Sequence, residues 1–147
     1  DKNGYTETES ICNEWNYVKN WDVDFVYSIE TIISLRGAAF TASCILDAQK
    51  TNLDMLMYYD ARPCAFNGLF DFYTYRPLKT YYAFWMFNEL YKIGKSFDVN
   101  IEAEDIHTLA AKNETSRITK VVNNLGINNS YNFIIPVYEN MPRFARK

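Results

Sequence analysis

Ser10-Ile11-Cys12-Asn13-Glu14-Trp15-Asn16-Tyr17 is the stretch that decides how this chain is read. A β-prone run, residues 8 to 14, leads into one carboxylate, Glu14. The amides of Asn13 and Asn16 and the rings of Trp15 and Tyr17 flank it, and Trp21 lies a short distance on. A few placed polar groups among aromatic rings make a binding-site composition. Here amides can meet hydroxyls and indoles can cover apolar ring faces, so the set suits a sugar.

The chain beyond Tyr17 reads as helix, strand, helix, which puts Glu14 at the C-terminal end of a strand opening a βαβα run. After residues 18 to 24, a loop, apolar positions Val26, Ile29, Ile33, Phe40, Cys44 and Ala48 recur at helical spacing over 26–49. Gly37-Ala38-Ala39 is a small-residue patch where this helix can lie close to a neighbour. Residues 53–59 form an apolar run of the kind found in buried parallel strands. Residues 60 to 76 are an aromatic-rich loop carrying Arg62 and Asp71, and loops after strand ends concentrate binding residues. Pro77 fits the first turn of a helix running to about Ile93, with Gly94 as its stop.

The pattern changes after Phe97. Residues 107–112 alternate, a turn-like Asn113-Glu114-Thr115-Ser116 comes next, and 118–124 alternate again. That is a hairpin of antiparallel strands, with 131–137 as a third strand. Two regions result, 1–97 of α/β type and 98–147 of all-β type. Two parallel strands cannot cover two helices as apolar as 26–49 and 77–93, because parallel sheets are normally buried on both faces. The chain therefore reads as the end of a larger α/β domain, or as a unit that pairs with other copies.

Composition excludes several classes. The chain has 147 residues, enough for one ordinary domain, and its 17% aromatic share suits a large core, a carbohydrate site or both. A net charge of −3 leaves no basic footprint for nucleic acid; Arg143, Arg146 and Lys147 read as a solvated tail. No apolar run approaches the ~20 residues of a membrane span. Cys12, Cys44 and Cys64 lack CxxC spacing and read as buried thiols, and the single His107 completes no ligand motif. No metal and no cofactor is expected. Localisation stays open between cytoplasmic and secreted, with a lean to cytoplasmic. The sequons at Asn113 and Asn128 receive no role.

The order of these elements resembles a known family. The strand ending in Glu14, the long helix, the apolar run Leu53-Asp54-Met55-Leu56-Met57-Tyr58-Tyr59, the aromatic loop and Arg76-Pro77-Leu78-Lys79-Thr80-Tyr81-Tyr82-Ala83-Phe84 look like the C-terminal end of a retaining glycoside hydrolase of the large (β/α)8 clan. Family 39, the β-xylosidase-like family, is the most similar. Asp105-Ile106-His107-Thr108-Leu109-Ala110-Ala111-Lys112-Asn113 resembles the start of the accessory β-sandwich that follows such a barrel. The likeness covers about residues 5 to 125. It implies the last two β/α units of a (β/α)8 barrel followed by part of a β-sandwich.

The resemblance also implies roles. Glu14 matches the nucleophile at the end of the seventh strand, although an Asn-Glu pair such as Asn13-Glu14 is more typical of the acid/base on the fourth. Either way Glu14 is catalytic. Asn13, Trp15, Tyr17, Tyr59 and Asp60 become substrate-binding candidates. A retaining enzyme needs a second carboxyl about 5–5.5 Å from the first. Glu7 and Glu9 lie toward the other end of the strand, and Asp60 is the best alternative within the chain. The expectation is thus a fragment carrying the nucleophile, with its acid/base upstream, a carbohydrate substrate, and contacts to the remainder of the parent chain or self-association through apolar helices. A non-catalytic carbohydrate-binding or assembly module is the alternative, and an α/β domain that oligomerises without any sugar role is a third reading.

Overall fold

The computed structural model describes residues 3–63, 68–97, 99, 106–113, 117–123 and 137–138. Strand β1 (Ile11–Trp15) pairs in parallel with β2 (Met55–Tyr58), the adjacency expected from the sequence. Between them run helices α1 (Phe25–Ile32) and α2 (Leu35–Ala48), and α3 (Lys79–Ile93) comes after β2. A second sheet contains β3 (Lys95–Phe97), β4 (Ile106–Lys112), β5 (Arg117–Asn123) and β6 (Val137–Tyr138), in that order and antiparallel throughout.

The single helix expected over 26–49 is two helices bent by 76°. The reason lies at Ser34. Its hydroxyl donates to the Thr31 carbonyl at 2.7 Å and accepts from the Arg36 and Gly37 amides, at 3.1 and 3.4 Å. It thereby ends one helix and caps the next, a role for which Ser is among the preferred residues. The turn also needs room. A Cβ at Gly37 would run into the Thr31 carbonyl oxygen and sit 2.6 Å from that of Ile32. Gly37 thus meets the end of α1, while Ala42 meets Ala83 of α3 across the core. Among the described residues no single helix is long and apolar enough to cross a membrane.

Helix α3 begins at Lys79, later than Pro77 suggests. Pro77 instead bridges Phe70 across a hairpin-like turn, and the Leu78 amide donates to Leu69 O at 2.9 Å. Gly94 does end the helix. At φ 106° it occupies backbone space that L side chains avoid, and its amide returns to Leu90 O and Tyr91 O.

The core is built on the helices. Ala42, Leu46 and Ala83 form one buried cluster, and Leu90 and Ala111 form another; Phe87 and Leu109 pack against both. β4 therefore docks on α2 and α3 through Leu109 and Ala111, and Ala111 is small enough to let it lie close. His107 of β4 adds an imidazole 3.5 Å from the Asp47 carboxylate of α2. The antiparallel sheet reaches back to Lys95, inside the first of the two regions expected from the sequence, and β3 is an addition to the expected strands. The β4–β5 hairpin matches the alternation of the sequence, with Lys112 opposite Arg117. β6 overlaps the expected third strand only at Val137, and 131–136 lie outside the described residues. One antiparallel sheet is described; a facing sheet, as in a sandwich, is not among the described residues.

The buried character expected for 53–59 is not found. Met55 and Met57 are 41% and 47% exposed, and Ile11 on β1 is 48% exposed. The helices cover one side of this two-stranded sheet, where Trp15 and Tyr58 meet Phe40 and Phe84. The other side has no cover among the described residues. Cys12 and Cys44 are half-buried free thiols, less enclosed than expected. Cys64 lies outside the described residues.

Candidate functional site at the end of the parallel strands

The site is shaped by an irregularity that alternation alone does not announce. Cys12 pairs with Leu56 and Trp15 with Tyr58, so Asn13 and Glu14 together oppose Met57. Two residues against one is a β-bulge, a device that re-aims side chains and recurs beside active sites. Both bulge residues are exposed.

Beyond the bulge the two strand ends are locked together. The Tyr59 amide donates to Trp15 O at 2.9 Å, and the Asn16 side-chain amide donates to Tyr59 O at 2.7 Å. Asn16 Oδ1 accepts from the Tyr17 amide at 2.6 Å. Asn16 is thus spent on holding backbone as much as on facing solvent. The Tyr59–Asp60 peptide bond is cis.

A cavity of about 170 Å³ opens at this end, lined by Glu14, Trp15, Asn16, Val18, Trp21, Phe25, Ser28 and Tyr59 among others. Its floor is α1: Ile29 and Ile32 lie below, and Ser28 Oγ is anchored by donating to Asp24 O at 2.9 Å while accepting the Lys19 amide at 3.0 Å. Of the residues expected from the sequence, Glu14, Trp15 and Tyr59 line this cavity. Asn13, Tyr17 and Asp60 do not. Tyr17 turns toward the helices, with its ring 5.1 Å from Phe40 and 6.3 Å from Tyr27. Its phenol is pushed up by the hydrogen bond to Tyr27, by burial and by the charge of its neighbour. The Arg36 guanidinium donates to Tyr27 at 2.5 Å. Asn16 and Trp21, both close to Glu14 in the sequence, complete the lining.

The other carboxylates have different work. Asp71, a loop candidate, organises a turn: one carboxylate oxygen accepts from the Tyr73 and Thr74 amides and from the Thr74 hydroxyl, at 3.2, 2.7 and 2.6 Å. Those bonds, the Thr74 hydroxyl foremost, hold its carboxyl below the usual range. Arg62 is exposed. Glu7 and Glu9 lie with Asp54 on an open cleft at the opposite end of the strands. No described carboxylate joins Glu14 in the cavity lining. Among the described residues no three His, Cys, Asp or Glu side chains group as a metal site would require.

No family model, no curated protein and no solved structure matches this chain.

Proposed function

We propose that Glu14 is the nucleophile of a retaining glycosidase acting on β-linked sugars such as xylosides. The observation that carries this reading is the bulge that puts Glu14 on the rim of a cavity at the C-terminal end of two adjacent parallel strands. That end is where α/β barrels concentrate their chemistry. The Glu14 carboxylate attacks the anomeric carbon and displaces the leaving oxygen, which takes a proton from a second carboxyl group. Water then releases the glycosyl–enzyme ester, with that second group acting as base. The acid/base comes, on this reading, from strands that extend the β1–β2 sheet. In support, Ile11, Met55 and Met57 remain exposed on a sheet type that is normally covered on both faces.

The test is a mechanism-based 2-fluoro xyloside on the full-length protein, with the labelled peptide identified by mass spectrometry. Glu14 should carry the sugar, and Glu14→Gln should reduce turnover to background without unfolding the protein. A label on another Glu removes the assignment. A non-catalytic carbohydrate-binding role is the second reading, favoured by the single carboxylate in the cavity lining. It gives saturable sugar binding with no label at all.

A further inference from the structure

We infer that Trp21 is the stacking platform of the Glu14 cavity and that the cavity takes one pyranose ring, its C–H face against the indole. This rests on the sugar reading of that site. In the sequence Trp15 is the substrate-binding candidate and Trp21 only a second aromatic ring a short distance on; the structure reverses their order. The Trp15 ring is part of the packing, 5.3 Å from Tyr58 edge-on and 6.3 Å from Phe40. Its indole nitrogen is buried without a hydrogen-bond partner. Trp15 thus lines the cavity as a packed and fixed part of its wall.

Trp21 has the opposite character. It lines the cavity and is 69% exposed. A single exposed aromatic residue ordinarily needs no explanation. Here the backbone beneath it is tied down unusually well. Asn20 Oδ1 accepts from the Asp22 and Asp24 amides at 3.1 and 2.9 Å, and Asn20 Nδ2 donates to Asp24 Oδ2 at 2.9 Å. Lys19 Nζ lies 3.0 Å from the same carboxylate, and the Phe25 amide donates to Asp22 O at 3.2 Å. The Phe25 ring backs the indole at 5.8 Å and 34°. A preordered turn therefore holds a large apolar plate beside a carboxylate and an amide. A rigid, exposed indole loses little conformational entropy on binding, which favours recognition.

Size narrows the ligand. The part of the cavity that these residues build, about 170 Å³, has room for one ring. The ligand class is accordingly a pyranoside with one face of C–H groups for Trp21 and an equatorial hydroxyl for Glu14.

The experiment measures 4-nitrophenyl β-xyloside kinetics on the full-length protein and its Trp21→Ala and Trp21→Phe variants. Calorimetric binding of xylobiose in a Glu14→Gln background accompanies it. Trp21→Ala should raise KM and the dissociation constant about tenfold with kcat little moved, the scale of one aromatic contact; Trp21→Phe should recover most of the loss. Unchanged KM and binding in Trp21→Ala, with Glu14→Gln inactive, overturn the platform and leave the nucleophile. Trp21-dependent binding in a protein that is never labelled at Glu14 upholds the platform and overturns the nucleophile. A protein that binds neither sugar overturns both.

Discussion

The helix layer and the parallel sheet solve the burial problem in opposite ways. Around α2, α3 and β4 many of the buried residues are small: Ala38, Ala42, Ala83, Ala110 and Ala111 lie at 3% exposure or less, with Leu46, Met86 and Leu90 as the larger apolar side chains buried beside them. Close approach of backbones does the packing there, and Thr80 Oγ1 donates to Ile32 O at 3.1 Å to satisfy the buried end of α1. In the β1–β2 sheet large side chains stand on both sides: Trp15 and Tyr58 face the helices, while Ile11, Met55 and Met57, with Tyr59 just beyond β2, are all at least 40% exposed. One region closes on itself. The other is finished on its helix side and open on its far side, and the candidate site sits at its rim.

Paired truncations in the two regions give the largest expected effect. Leu46→Ala empties part of a cluster with Ala42 and Ala83 that has no spare bulk to collapse inward, and should cost about 3 kcal/mol in urea denaturation. Met57→Ala should cost under ~0.5 kcal/mol in the isolated 147-residue chain, as exposed positions usually do. If, as proposed, the chain belongs to a longer glycosidase, the same Met57→Ala change in that parent should cost about 2 kcal/mol, because barrel strands would cover that face. Equal, small losses for Met57→Ala in both would break the comparison and, with it, the proposal that further strands supply an acid/base.

The next effect is steric and belongs to the helix layer alone. Gly37→Ala places a methyl group against the carbonyl oxygens of Thr31 and Ile32, which are backbone atoms and cannot turn aside. The α1–α2 bend must open, at a cost of about 2 kcal/mol. Thermal or urea unfolding reads this directly. A neutral Gly37→Ala variant would mean that the bend is set by Ser34 alone.

Much of this organisation is legible from residue patterns, and the exceptions have physical causes. The strand–helix–strand–helix order, the Gly94 stop and the β4–β5 hairpin follow from periodicity and turn chemistry. The α1–α2 break is hidden because Ile29, Ile33 and Phe40 keep helical spacing across it; Ser34 followed by Gly37 is the available signal. β3 is only Lys95–Phe97, too short for alternation to register. At the site, the Glu14 motif is visible, but the bulge is not, since it exists only as a mismatch of register between two strands far apart in sequence. Tyr17 resembles a ligand contact in the sequence because adjacency to Glu14 says nothing about which side of the sheet a ring takes.

The last effect concerns alkaline pH and sharpens the contrast between the two sides of the sheet. Tyr58 faces the helices, its ring 5.2 Å from Phe84, and burial pushes its phenol up to about 12. On α2, burial and then the nearby Asp47 charge push the Cys44 thiol up to about 11. Both are acids that hold their proton more tightly when folded than when unfolded, so the unfolded chain releases it first as pH rises. Their contribution to stability is complete below the ordinary values, about 8.5 for a thiol and about 10 for a phenol, and is lost as pH climbs through the folded ones. The urea midpoint should therefore stay level with respect to these groups up to about pH 8.5. It should then fall in two overlapping stages, the thiol from there to about pH 11 and the phenol from about pH 10 to about pH 12. Cys44→Ala should remove the first stage and Tyr58→Phe the second. A decline that survives both substitutions would place the alkaline sensitivity in other groups.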